Sequence, residues 1–95
     1  MTNHPNRGRS YWLLHPRNFA NEYIVGVATT QENAEQYEAE DFERIDRDAA
    51  LRLMSRRPGN GEQLYISVTV DGEDDWRYDR YEIARSIRTG SDAAL

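Results

Sequence analysis

The sequence predicts a small α+β domain. It would be a mostly antiparallel sheet of four or five strands with two or three short helices packed on one face. Three observations predict this. The 95-residue length admits one domain and a modest core. Runs with strand alternation are interleaved with runs at helical spacing, which favours layered helices and strands over an all-α or all-β fold. Cysteine is absent, so neither disulfides nor thiolate zinc can staple the chain and packing must hold it together.

The elements follow in order. Residues 1–9 are polar and read as an arm, 10–90 as the globular unit and 91–95 as a tail. Ser10–His15 is aromatic and apolar, a strand that Pro16 ends. Arg17–Asn21 reads as a turn, which makes a hairpin with the next run. Tyr23–Thr29 is β-branched and nearly all apolar, as a central strand covered on both faces would be. Gly26 within it implies close approach of a neighbour, such as a helix over the strand.

Thr30 stands where an N-cap belongs, before a helix over Gln31–Glu40 with Ala34 and Tyr37 inward. Asp41–Ile45 alternates weakly, with Phe42 and Arg44 sharing a face. Asp46 caps a second helix, Arg47–Arg57, burying Ala50, Leu51 and Met54, and the Pro58–Gly61 run stops it. Gln63–Val70 alternates cleanly, Ile66, Val68 and Val70 on one side. Asp71-Gly72 opens a turn, and Trp76–Tyr78 is expected to return as a short strand. Asp79 with Glu82 starts a third helix that carries Tyr81, Ala84 and Ile87 inward and ends at Gly90. The expected order is strand, strand, helix, weak strand, helix, strand, strand, helix.

Charge narrows the function. Seventeen acids against twelve basic residues give a net charge of -5, and mean hydropathy is -0.93. That disfavours a duplex-DNA binder or a polybasic membrane binder. No apolar run approaches spanning length and the first residues lack a signal-peptide core, so a cytoplasmic location is expected. Every basic residue is arginine. G/C-rich arginine codons explain this in a high-GC bacterium or its phage, and planar arginine forks also suit carboxylate and phosphate partners.

The charges are segregated. Glu32, Glu35, Glu38, Glu40, Asp41 and Glu43 follow one another with no arginine between them, and Asp71, Glu73, Asp74 and Asp75 form a second acidic run. Such runs are ordinary solvated surface in many proteins. They also suit docking onto a basic surface, where carboxylates occupy positions that phosphates would take. Trp76-Arg77-Tyr78-Asp79-Arg80-Tyr81 mixes aromatics with arginines, the composition of protein-interface anchors and of single-strand base-stacking platforms alike. The bland alternative is that Trp76 and Tyr78 cover the core while Arg77 and Arg80 pair with the acids at 73–75. The acids just upstream favour a protein partner over a nucleic acid.

Catalytic and metal chemistry find little support. Asp71, Glu73, Asp75, Asp79 and Glu82 match the oxygen spacing of a calcium loop, but Trp76 stands where that loop needs glycine and a strand precedes it. His4 and His15 are isolated, no G-x-S-x-G run supports a serine nucleophile, and Pro58–Gly61 joins helix to strand, the reverse of a phosphate loop. No enzyme activity, cofactor or metal is expected.

The expectation is therefore a small acidic protein-binding module. Its contact residues would be Glu32, Glu35, Glu38, Glu40, Asp41 and Glu43 with Trp76, Arg77, Tyr78 and Arg80. Its partner would be a protein with a basic surface, such as a nucleic-acid-binding protein. By category alone, with no motif behind it, such a chain resembles the accessory proteins that phages carry against host defences, including anti-CRISPR proteins, which implies a stoichiometric inhibitor. Two alternatives stand beside it. One is a self-associating structural or regulatory protein, such as a homodimer paired through an edge strand near Trp12 or Trp76. The other is a single-stranded nucleic-acid binder, which requires the arginines of 52–57 and 77–88 to converge.

Overall fold

The computed structural model describes residues 8–16 and 21–90. The proposed arm up to residue 7, the segment 17–20 and the tail 91–95 lie outside the described residues. The elements are β1 (Ser10–Leu14), β2 (Glu22–Ala28), α1 (Gln31–Ala39), β3 (Glu43–Ile45), α2 (Arg47–Ser55), β4 (Tyr65–Val70) and α3 (Arg80–Thr89). Four strands form one mixed sheet in the order β3-β1-β2-β4. β1 runs antiparallel to β2 and to β3, whereas β2 and β4 are parallel. This is the α+β domain that the residue patterns predict.

Strand alternation builds the main core. In the register Tyr11↔Val27, Leu13↔Val25, Val25↔Val68 and Val27↔Val70, these side chains share one sheet face. Ala50, Leu51 and Met54 of α2 and Ile83, Ala84 and Ile87 of α3 pack onto that face. The inward stripe of α3 thus runs through Ile83, while Tyr81 stays half-buried at its rim. Among the described residues fifteen apolar side chains are buried, most of them here, and they hold the domain by removing hydrocarbon from water.

Helix placement departs from the one-faced arrangement. α2 and α3 cover one face, but α1 lies on the other. Trp12 pairs with Gly26 on that second face, and they form a separate small core with Ala28, Ala34, Tyr37 and the half-buried Phe42. Composition hides the reason. β2 is apolar on both faces, Val25 and Val27 on one and Gly26 and Ala28 on the other, so it demands cover twice. Gly26 is the close approach its sequence context implies: a Cβ there would lie 2.6 Å from Tyr37 Cε1.

Local signals set the helix ends. Thr30 Oγ1 accepts from the Asn33 N–H and Asp46 Oδ1 from the Ala49 N–H, while Asp79 Oδ1 accepts from the Tyr81 and Glu82 N–H groups. Gly90 closes α3 in the left-handed region at φ 73°.

The short return strand at Trp76–Tyr78 is a misreading: these residues form a turn. β4 does fold back, but at once, through Asp71 (φ 51°) and Gly72 (φ 82°), with a single antiparallel bridge from Val70 to Glu73. Asp75 then stops any further pairing, because its carboxylate accepts from the Arg77 N–H at 2.9 Å and its carbonyl from the Tyr78 N–H at 2.9 Å. Aspartate side chains bend the chain in this way by competing with ladder partners.

Candidate functional site

The sheet separates two layers of opposite charge. On the α1 side, Glu32, Glu35, Glu38, Glu40 and Asp41 are exposed, with Arg44 on the same sheet face opposite Trp12; Glu43 is exposed as well, but it pairs with Leu13 and belongs to the other sheet face. No ion pair among the described residues engages them. They crowd together because α1 buries only Ala34 and Tyr37, leaving its remaining faces to polar residues. On the opposite side α2 and α3 carry Arg47, Arg52, Arg80, Arg85 and Arg88, with Arg56 and Arg57 directly after α2.

Tyr37 brings the two acidic runs onto one side of the protein. Its ring stacks with Trp12 (centroids 6.4 Å apart) and tilts against Phe42 (4.8 Å). Its hydroxyl lies 2.7 Å from Thr69 Oγ1 and accepts from the Gly72 N–H at 2.9 Å. Burial pushes the Tyr37 phenol above its ordinary pKa, so it stays protonated and neutral at physiological pH. Asp71 adds a second tie, accepting from the Thr29 N–H (2.7 Å) and the Thr29 hydroxyl (2.6 Å) just before the α1 cap. The turn that holds Glu73 and Asp74 is thereby anchored against the start of α1. Spacing in the sequence gives no sign of these ties, which join residues 32 to 42 positions apart.

The aromatic–arginine run is divided by the fold. Trp76 is 92% exposed on the turn. Arg77 clasps Asp75 through Nε and Nη2, and this ion-paired hydrogen bonding holds the Asp75 carboxyl at about 2, below its usual range. Tyr78 is half-buried and packs against the main core. Arg80 belongs to the other layer. Its Nη1 donates to the carbonyls of Met54 (2.8 Å) and Arg56 (2.6 Å), satisfying groups that the end of α2 leaves orphaned. The candidate contact residues thus divide. The α1 carboxylates and the exposed Trp76 and Arg77 face outward, while Tyr78 and Arg80 are engaged within the protein.

The arginines of the two helices do converge. Arg57 and Arg80 place their guanidinium carbons 4.6 Å and 4.2 Å from the Tyr81 ring centroid. Arg56 pairs with Glu62 at 3.1 Å, and Arg88 donates to Ser55 Oγ at 2.6 Å.

The other chemistry considered has structural work. The calcium-spaced acids are directed apart: Asp71 to Thr29, Asp75 to Arg77 and Asp79 to the α3 cap. Among the described residues no group of three or more histidine or carboxylate side chains could hold a metal. His15 Nδ1 meets the Glu22 carbonyl at 2.8 Å and its ring stacks on Tyr23, while Ser10 Oγ accepts from Trp12 Nε1 at 2.8 Å. No described helix is long and apolar enough to cross a membrane.

Comparison of the chain with protein-family models, with curated proteins and with solved structures finds no match.

Proposed function

We propose that this protein is a non-enzymatic binding module. In this reading the carboxylate face of α1, extended by the turn 71–75 and Trp76, docks onto a basic surface of a protein partner. The observation that carries the reading is the pair of acidic runs drawn to one side through Tyr37 and Asp71, next to a fully presented tryptophan. Carboxylates that form no ion pair among the described residues present their field to an incoming surface, which steers encounter. A tryptophan on a turn clamped by Asp75 and Arg77 offers a large anchor that loses little further freedom on binding. If the partner binds nucleic acid, the carboxylates compete for its phosphate positions and the module acts as a stoichiometric inhibitor in the cytoplasm, of the kind phages use against host defences.

The test is affinity capture from the source cell, followed by binding of the captured protein to purified variants across a salt series. The triple variant E32Q/E35Q/E38Q is expected to weaken binding and flatten its salt dependence, and Trp76→Ala to weaken it at every salt concentration. A triple variant that binds the partner as tightly as the parent, with the same salt dependence, would sink the proposal.

One observation favours a second reading, single-stranded nucleic-acid binding: Arg57 and Arg80 both lie over the Tyr81 ring. Fluorescence anisotropy with labelled oligonucleotides at low salt separates the two. Saturable binding abolished by Arg57→Gln supports the second reading, and no anisotropy change rejects it.

A further inference from the structure

On the sheet face that carries α1, burial falls along each strand in the same direction. In β1 it passes from buried Trp12 to half-buried Leu14, in β2 from buried Gly26 to half-buried Ile24, and in β4 from half-buried Thr69 to exposed Ser67 and Tyr65. The cause is the length and placement of α1. It has nine residues, about 13.5 Å. Its inward Ala34 and Tyr37 cluster with Trp12 and Ala28, and Tyr37 covers Gly26 and ends at Thr69. The next row, Leu14–Ile24–Ser67, is left partly open, and Tyr65 stands beyond it beside Glu22.

Shape and charge say what fits this strip. Leu14, Ile24 and Tyr65 lie on three adjacent strands, β1, β2 and β4. Two strand spacings are about 10 Å. Residues i and i+7 of an α-helix are about 10.5 Å apart, so a helix with apolar residues at i, i+3, i+4 and i+7 spans the strip. Tyr65 is 58% exposed, a large aromatic available as an anchor. Both ends of the strip are acidic: Glu22 neighbours Tyr65 in the strand register, and Asp41 shares a groove with Leu14. Neither joins an ion pair among the described residues. α1 ends just before Asp41 with no basic residue in its last turn, so the negative end of its dipole adds to the same field. Arg80 borders Tyr65, but its guanidinium is bonded to the α2 carbonyls. A second copy of the chain would set these acids against one another, whereas a basic element complements them.

We propose that this strip receives an amphipathic helix of the protein partner, its apolar stripe laid across Leu14, Ile24 and Tyr65 and its flanking lysine or arginine side chains reaching Glu22 and Asp41. The inference rests on the docking reading above and adds to it. The α1 carboxylates steer a basic surface, and the strip supplies the apolar contact that holds it.

The probe is a synthetic helix of about four turns, with leucine at i, i+3, i+4 and i+7 and lysine elsewhere, titrated into the full chain and followed by amide-resolved NMR. A peptide of the same composition in shuffled order and a leucine–glutamate counterpart serve as controls. Saturable shifts are expected at residues 14, 24, 65 and 67, about tenfold tighter for the patterned peptide than for the shuffled one and absent with the glutamate peptide. Tyr65→Ser, at an exposed position, should keep the melting temperature and weaken binding about tenfold. The double variant E22Q/D41N should weaken it severalfold and flatten its salt dependence; asparagine suits the left-handed backbone at Asp41 (φ 68°). Shifts confined to residues 31–38 and 71–76 would overturn the strip and leave the docking reading standing, since that reading is tested by E32Q/E35Q/E38Q against the captured partner. Absence of saturable shifts, equal binding of the shuffled peptide, or unchanged binding by Tyr65→Ser would also overturn it. So would the same shifts on concentrating the protein without peptide, which would make a second copy the occupant.

Discussion

Replacing Gly26 by alanine is expected to cost far more than one methyl group suggests. The added Cβ would meet Tyr37 Cε1 at 2.6 Å, Cζ at 2.7 Å and Cδ1 at 3.0 Å. Carbon atoms settle at about 3.5–4.0 Å, so the ring must retreat by roughly 1 Å. It has nowhere to go. Tyr37 is 2% exposed, Trp12 and Phe42 flank it, and Thr69 and Gly72 hold its hydroxyl. Overpacking of this kind costs about 1–3 kcal/mol. Breaking both hydrogen bonds adds about 1 kcal/mol each. Alanine recovers only about 0.4–1 kcal/mol by restricting the unfolded chain. The net loss is on the order of 2–4 kcal/mol, equivalent to a fall in melting temperature of roughly 10–20 °C in a domain of this size. Urea denaturation followed by tryptophan fluorescence measures it, since Trp12 lies in the affected cluster. In a Tyr37→Leu background the same substitution should be nearly neutral, the signature of direct coupling. A Gly26→Ala protein within about 0.5 kcal/mol of the parent, the usual spread for harmless changes, would refute the reasoning.

Three further outcomes are expected. Arg80→Gln, by removing the guanidinium from the Met54 and Arg56 carbonyls, should destabilise the protein by about 1.5–3 kcal/mol in chemical denaturation, the range for hydrogen bonds to a charged group. Asp75 should titrate near pH 2 by carboxyl-carbon NMR, and Arg77→Gln should move that midpoint up towards the ordinary aspartate value. Because the folded-state pKa is depressed, any stability from this pair is present above about pH 4 and fades as pH falls towards 2, so a clasp lost on mild acidification to pH 5 would contradict it. Trp76→Ala should leave the denaturation midpoint within about 0.5 kcal/mol of the parent, as a side chain 92% exposed contributes little to folding; a larger drop would mean that the indole packs against the protein.

Much of the fold was legible in the residues because local chemistry set it. Thr30, Asp46, Asp79 and Gly90 each do at a helix end what their side chains or backbone freedom suit them for. The alternation at Ile66, Val68 and Val70 needed no tertiary information to orient β4. The two-sided apolar character of β2 was visible too, yet its consequence, a helix on each face, depends on topology. Trp76–Tyr78 misled because aromatic residues after an acidic turn resemble a returning strand. Asp75, two residues ahead of Arg77, decides otherwise through hydrogen bonds that leave no periodic trace. The candidate contact residues were half legible. Exposure of the α1 carboxylates follows from helical spacing, whereas the withdrawal of Arg80 to the end of α2 depends on contacts distant in sequence.

The pairing of β2 with β4 bears on how the chain matures during synthesis. The β1–β2 hairpin is local, but the second neighbour of β2 is Tyr65–Val70, and the clasp from Asp71 back to Thr29 comes later still. A nascent polypeptide with β2 clear of the ribosome but β4 not yet emerged would carry the bare edge of β2, an open template for stray strand pairing. Closure waits until β4 and the acidic turn have been made, so truncation anywhere before that turn removes the latch along with the distal segment.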